Sequence, residues 1–146
     1  MILPITLVIA AAAGLINLWL AIRASMVRVK GKVMYGDGGN AQMLRRMRAH
    51  ANFTEYAPAI LILMALIEFA RGSSIWLWVA GVIFIIARLA HMVGMDRTDS
   101  NPFRLAGAVG TWAVLLALSV WALVIGYQAS GAPARPATME VGAPKA

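Results

Sequence analysis

The chain has 146 residues, of which 61% are hydrophobic and only 13% are charged, and it contains no cysteine. A soluble domain is roughly half apolar and a quarter charged, so this composition indicates a single integral membrane domain. The absence of cysteine excludes disulfides, thiolate metal sites and a cysteine nucleophile, and the sequence predicts no metal site. The net charge of +7 comes largely from basic residues beside apolar segments, a pattern that fits an anionic membrane leaflet better than nucleic acid.

Four apolar segments are long enough to cross a bilayer as helices. They cover about 2–22, 44–70, 75–95 and 103–127, and each can span a hydrocarbon core of about 30 Å at a rise of about 1.5 Å per residue. Backbone groups find no water in the bilayer, so helices are the expected form. The sequence therefore predicts an all-α, four-helix membrane bundle over 1–128. The stretch 129–146, rich in alanine and proline, is predicted to be a disordered tail.

The distribution of lysine and arginine predicts the orientation in the membrane. The first loop and its flanks carry most of the basic residues, the third loop adds Arg97 and Arg104, and the second connection offers only Arg71. Basic residues are enriched in cytoplasmic loops, so both termini are expected to face away from the cytoplasm. The first segment has no basic stretch before its apolar run, and we expect an uncleaved anchor there rather than a signal peptide.

The strongest functional signal is the polar start of the second segment, R-A-H-A-N-F-T-E-Y-A-P over 48–58. Arg48, Asn52 and Glu55 stand at positions i, i+4 and i+7, so they share one face of a helix. Ionisable side chains inside a membrane are costly and commonly line a cavity or a ligand site. The stripe therefore indicates a binding site rather than a simple anchor helix.

Two other segments bring polar side chains to the same depth. Arg88 and His91 lie one turn apart near the end of the third segment, and Arg104 stands at the start of the fourth. Arginine binds carboxylates with a planar fork, and Glu55 could hold an ammonium group, so the set suits a small zwitterion with more than one carboxylate. The competing interpretation is structural: the same residues could pair with neighbours, bond backbone carbonyls or reach toward the headgroups.

The stretch over 48–58, in a chain of this length with four apolar segments, resembles the MAPEG family. These are the membrane-associated proteins of eicosanoid and glutathione metabolism, and the resemblance is strongest to their bacterial members. The family has an arginine, an asparagine four residues later and a glutamate three residues after that, as in Arg48, Asn52 and Glu55. The segment A-R-L-A-H ending at His91 resembles the third helix of the microsomal prostaglandin E synthase branch. The resemblance covers about residues 5–128.

The resemblance implies a homotrimer in the bacterial inner membrane, with glutathione bound between neighbouring subunits near the cytoplasmic side. It implies a further ligand from the first helix, either Arg23 or Arg28, and it makes Arg104 the arginine that stabilises the glutathione thiolate. The activated thiolate would attack a lipophilic electrophile that arrives from the bilayer. The other glutathione ligands that it implies are Arg48, Asn52, Glu55, Tyr56 and His91.

Two positions depart from the family. Met95 stands where the prostaglandin E and leukotriene C branches have a tyrosine, and Leu105 follows Arg104 where the prostaglandin enzyme has a serine. Asp96 or Arg97 could replace the lost hydrogen-bond donor. These departures argue against a specialised eicosanoid synthase and leave a glutathione transferase, with glutathione peroxidase activity toward lipid hydroperoxides as an added option. A non-catalytic lipid-binding or scaffold protein of the same fold and a small transporter are the alternatives.

Overall fold

The computed structural model describes residues 2–97 and 101–131, and most of them belong to four α-helices. In chain order these are α1 (Pro4–Lys30), α2 (Ala41–Arg71), α3 (Ile75–Asp96) and α4 (Pro102–Ser130). All four are long enough and apolar enough to cross a membrane. The predicted all-α fold with four membrane-crossing helices is therefore confirmed.

The helices continue beyond the apolar segments at their polar ends. α1 runs on to Lys30, and α2 begins at Ala41, where the side chain of Asn40 accepts hydrogen bonds from the backbone N–H groups of Gln42 and Met43. Hydropathy marks where the apolar surface ends, whereas capping decides where the helix ends. α4 ends at Ser130, so its last turn includes the first residues assigned to the tail, and residues 132–146 lie outside the described part of the chain.

The closest packing joins α3 and α4 and depends on two glycines. A methyl group at Gly94 would collide with the backbone of Arg104, and a methyl group at Gly107 would collide with the backbone of His91. Small residues permit this close approach of helices in membranes, where van der Waals packing replaces the hydrophobic driving force. The two glycines therefore fix how near Arg104 and His91 can lie to each other.

A buried carboxylate holds the start of α1 at the opposite end of the bundle. Glu68 of α2 is 1% exposed and accepts hydrogen bonds from the backbone N–H groups of Ile5 (3.0 Å) and Thr6 (2.8 Å) and from the hydroxyl of Ser73 (2.8 Å). The residue before α1, Leu3, offers no side-chain cap. Glu68 thus satisfies two N–H groups that the first turn of a helix leaves unpaired, and it ties α1 to α2.

Candidate functional site

Three helices converge on a small polar cleft at one end of the bundle. α2 contributes its first half, α3 its last turns and α4 its first turn, because the chain reverses direction at each connection. The cleft has a volume of about 90 Å³ and is lined by Arg48, Asn52, Glu55, His91, Met95 and Arg104. The structure therefore brings the α2 stripe together with His91 and Arg104, and it places Met95, the replacement for the family tyrosine, among them.

The charged side chains of the cleft remain available to a ligand. Arg48, Glu55 and Arg104 are exposed, and none of their side chains forms a hydrogen bond or an ion pair with another residue in 2–97 or 101–131. The structural interpretation holds for Arg88 and His91, which bond neighbouring groups, whereas the side chains of Arg48, Glu55 and Arg104 have no such bond within the described residues. Three exposed ionisable groups on membrane-crossing helices indicate a binding surface.

Arg88 lies behind the cleft and orients one of its walls. The residue is 2% exposed, its Nη2 donates to the Oδ1 atom of Asn52 (2.8 Å), and its Nη1 donates to the hydroxyl of Thr111 (3.2 Å). Its guanidinium also lies 5.6 Å from the ring centre of Phe53. Because the oxygen of Asn52 is engaged by Arg88, the amide nitrogen of Asn52 is left to donate toward the cleft.

The cleft carries an excess of positive charge. Arg48 and Arg104 each line the cleft with a guanidinium group, and Glu55 lines it with one carboxylate. The buried guanidinium of Arg88 lies behind it. None of the hydrogen-bond partners of Arg88 in the described part of the chain is a carboxylate, although a buried cation is strongly stabilised by a paired anion. The site is therefore complementary to a ligand with more than one negative charge.

The main chain at Arg104 is held in place while its side chain is exposed. Its backbone N–H donates to the Oδ1 atom of Asn101 (3.1 Å), and the Nδ2 atom of Asn101 donates to the carbonyl of Gly94 (2.8 Å). The carbonyl of Arg104 lies 3.1 Å from Nδ1 of His91. A carbonyl only accepts, so Nδ1 carries the hydrogen and Nε2 is the remaining polar atom of the ring. Asn101 thus caps α4 and, through its bond to Gly94, fixes the backbone of Arg104 relative to α3.

A second and larger cavity opens beside the cleft. It has a volume of about 340 Å³, shares Asn52, His91 and Arg104 with the cleft, and adds Asn101, Leu105, Ala108 and Trp112. Tyr56 is not among the lining residues, but its hydroxyl oxygen accepts a hydrogen bond of 3.1 Å from the indole nitrogen of Trp112. The predicted ligand Tyr56 therefore borders the larger cavity, and Leu105 belongs to its apolar wall.

The two candidate arginines of α1 do not line the cleft of their own chain. Arg23 is buried, forms an ion pair with Asp96, and its guanidinium lies 4.4 Å from the ring centre of Trp19. Arg28 donates to the carbonyls of Val33 (3.3 Å) and Met34 (3.2 Å) at the end of α1. Both α1 arginines therefore have contacts away from the cleft.

The suggested substitutes for the family tyrosine have other contacts. Asp96 is the partner of Arg23, and the guanidinium of Arg97 lies 5.6 Å from the ring centre of Phe103. Neither lines the cleft. Sequence reasoning overlooked Asn101, although asparagine followed by proline is a recognisable helix start, and it attached no role to Trp112.

Comparison with known proteins places these features in a family. The sequence model of the MAPEG family matches residues 6–124, which include every residue of the cleft and of the larger cavity. The inner membrane protein YecN of Escherichia coli strain K12 is 32% identical over 91 residues, which cover 62% of this chain and 68% of YecN. The protein of the same name from Escherichia coli O6:H1 matches with the same identity and coverage.

Proposed function

The chain belongs to the MAPEG family, and from this premise we propose that it is a membrane-bound glutathione transferase. In this proposal it assembles as a homotrimer in the bacterial inner membrane, with the site toward the cytoplasm. The four membrane-crossing helices support the location, and so does the similarity to YecN, which is an inner membrane protein. The observation that carries the activity is the cleft in which the side chains of Arg48, Glu55 and Arg104 meet, each without a hydrogen-bond or ion-pair partner in the described part of the chain.

Glutathione matches the chemistry of the cleft. The tripeptide has two carboxylates, one ammonium group, two peptide units and a thiol, so its charges complement two arginines and one carboxylate. In the proposal, Arg48 binds a carboxylate, Glu55 binds the ammonium group, and the amide nitrogen of Asn52 donates to a carbonyl. The positive excess that includes the buried Arg88 is offset when the anionic ligand binds.

We assign to Arg104 the role of stabilising the thiolate of bound glutathione. A free thiol is mostly protonated at neutral pH, and a neighbouring guanidinium favours the thiolate, which is the nucleophile. The effect of such a charge is larger in a site of reduced dielectric than in water. Bound glutathione supplies the sulfur nucleophile, which also explains how a chain without cysteine could catalyse thiol chemistry. Reduction of lipid hydroperoxides is the second activity that this site would support.

The exposure of the site supports an assembly in which neighbouring subunits complete it. Arg48, Glu55 and Arg104 lie on the outside of the single chain, where membrane lipid alone would leave them unpaired. Of the two α1 arginines, Arg23 is buried in its ion pair with Asp96. Within the described residues, Arg28 donates to two backbone carbonyls and to the sulfur of Met47. We therefore assign the helix-one ligand to Arg28 of a neighbouring subunit.

Ultraviolet absorbance of the thiolate tests the role of Arg104 directly. Adding glutathione to the detergent-purified protein should produce a thiolate band, and Arg104→Ala should lose this band together with conjugation. Arg104→Lys, which keeps the charge without the planar fork, should retain part of it. An undiminished band in Arg104→Ala would overturn the assignment. A protein that only binds lipids would give no band in the wild type.

A further inference from the structure

We propose that the 340 Å³ cavity beside Arg104 binds the electrophile, and that the indole ring of Trp112 selects electrophiles with a flat conjugated or aromatic group. This inference rests on the proposed transferase function and names the class of its second substrate. It is carried by the connection between the two cavities, by the hydrogen bond that fixes Trp112, and by the exposed face of its ring.

The two cavities are joined at Arg104, the residue that we assign to the thiol, and at two of its neighbours. Asn52, His91 and Arg104 line both of them, so a ligand in the larger cavity lies next to the position where Arg104 would hold the sulfur. The smaller cleft is dominated by charged and amide groups, whereas the larger cavity adds Leu105 and Ala108. The smaller cleft therefore suits the polar glutathione, and the larger cavity suits an apolar electrophile.

Trp112 forms a fixed and accessible platform in the larger cavity. Its indole nitrogen donates to the oxygen of Tyr56 across the α2–α4 contact (3.1 Å), so the one polar atom of the ring is already satisfied. The residue is nevertheless 54% exposed, which leaves ring surface for stacking. Aromatic side chains on helices lean toward the N-terminus, and this direction carries the indole of Trp112 toward Arg104, two turns earlier on α4.

The size of the cavity limits the electrophile. A volume of about 340 Å³ is near the lower end of the range for small-molecule sites, which favours a small ligand. A long acyl chain would have to leave the cavity and extend into the bilayer. A flat ring can stack on the indole, and a carbonyl conjugated with that ring can reach the guanidinium of Arg104.

An aryl-substituted enone is the simplest compound of this class. The thiolate sulfur bonds to the β-carbon, and the electron pair of the carbon–carbon double bond moves toward the carbonyl oxygen, where Arg104 stabilises the negative charge. The proton that the thiol released is then taken up at the α-carbon. The reaction is an addition, so no group leaves and no external oxidant or reductant is needed.

The test compares two enones of similar reactivity, one with an aryl substituent and one with an alkyl substituent. Stacking on the indole predicts that Trp112→Leu lowers kcat/KM for the aryl compound relative to the alkyl compound by about 2- to 12-fold. Trp112→Phe keeps a ring and should retain most of the preference. Trp76→Leu is the matched control, because Trp76 is 71% exposed at the start of α3, at the other end of the bundle, and it should leave the ratio unchanged.

Binding without chemistry separates this inference from the proposed function. The saturated aryl ketone cannot be attacked by a thiolate, and its binding is read by quenching of tryptophan fluorescence in wild type and Trp112→Leu. Quenching that depends on Trp112 supports the aryl site even if no conjugation occurs, in which case the transferase proposal alone fails. The inference would be overturned by an unchanged aryl preference in Trp112→Leu or by quenching that is independent of Trp112. A change of oligomeric state in Trp112→Leu would also overturn it, because the cavity would then be a contact between subunits.

Discussion

The Nη2 atom of Arg88 donates a hydrogen bond of 2.8 Å to the side-chain oxygen of Asn52, and this bond links a buried cation of α3 to the polar stripe of α2. The bond determines which end of the Asn52 amide can face a ligand, and it places a positive charge behind the cleft. Arg88 is therefore a positioning residue for the proposed glutathione site, although it does not line the cleft itself.

Replacing Arg88 with methionine should weaken glutathione binding by about 10- to 100-fold, the usual effect of losing a hydrogen bond to a charged group. The fold should survive, because the hydroxyl of Thr111 keeps its hydrogen bond to the carbonyl of Gly107 (2.7 Å) when Arg88 is lost. A methionine side chain can also occupy the buried position of Arg88 without an unpaired charge. Calorimetry on the purified variant measures the change. Arg88→Lys keeps the charge but not the fork, so it should give an intermediate affinity. Equal affinities in wild type and Arg88→Met would refute the positioning role.

Gly107→Ala should disturb the site through the backbone. The added methyl group collides with the backbone at His91, so α3 and α4 must move apart at the point where His91 and Arg104 meet. We expect a lower thermal stability and a loss of glutathione binding. The control is Gly126→Ala on the same helix, where no atom of the described residues lies within 4 Å. There alanine should be neutral or stabilise the helix by about 0.5–1 kcal/mol. Equal thermal stability of the two variants would contradict the close packing.

Glu68→Gln should lower stability without affecting the site. A neutral amide cannot accept all of the hydrogen bonds that Glu68 receives from Ile5, Thr6 and Ser73, and one unsatisfied buried group costs about 1–3 kcal/mol. Thermal unfolding in detergent should therefore shift downward while glutathione affinity stays the same. Arg71→Ala is the matched control, because the contact of Arg71 with Gln128 is exposed and such contacts contribute little. A similar small shift in both variants would show that Glu68 does not clamp α1.

The two arginines of α1 should behave differently when each is changed to alanine. Arg28→Ala should weaken glutathione binding in the oligomer with little change in thermal stability, because Arg28 is assigned to the site of a neighbouring subunit. Arg23→Ala should mainly lower stability, since it leaves Asp96 without its ion-pair partner. Calorimetry and thermal unfolding on the same preparations separate the two effects, and the opposite pattern would transfer the ligand assignment to Arg23.

The sequence predicted the four helices and the α2 stripe because both depend on local patterns. Runs of apolar residues identify membrane segments, and the spacing of Arg48, Asn52 and Glu55 follows directly from the helical repeat. The prediction that His91 and Arg104 lie at the same level in the membrane as the α2 stripe also followed from the alternating direction of the helices. These features need only the order of residues within each segment.

Contacts between segments were beyond sequence reasoning. The ion pair of Arg23 joins residues 73 positions apart, so nothing local distinguished Arg23 from Arg28 as the ligand. The clamp by Glu68 and the close approach at Gly107 likewise depend on which helix faces which. Asn101 is different, because its position before a proline is a local capping signal that could have identified the start of α4 and the support of Arg104.

Calorimetry of glutathione binding to the detergent-purified protein decides whether the cleft is a glutathione site. The wild type should bind saturably, and both Arg48→Ala and Glu55→Gln should bind about 10- to 100-fold more weakly, because each loses a charge-assisted contact. Arg71→Ala, at the far end of the same helix, should bind like the wild type. No saturable binding by a folded wild-type protein, or equal binding by all four proteins, would contradict the account and favour a lipid-binding protein of the same fold.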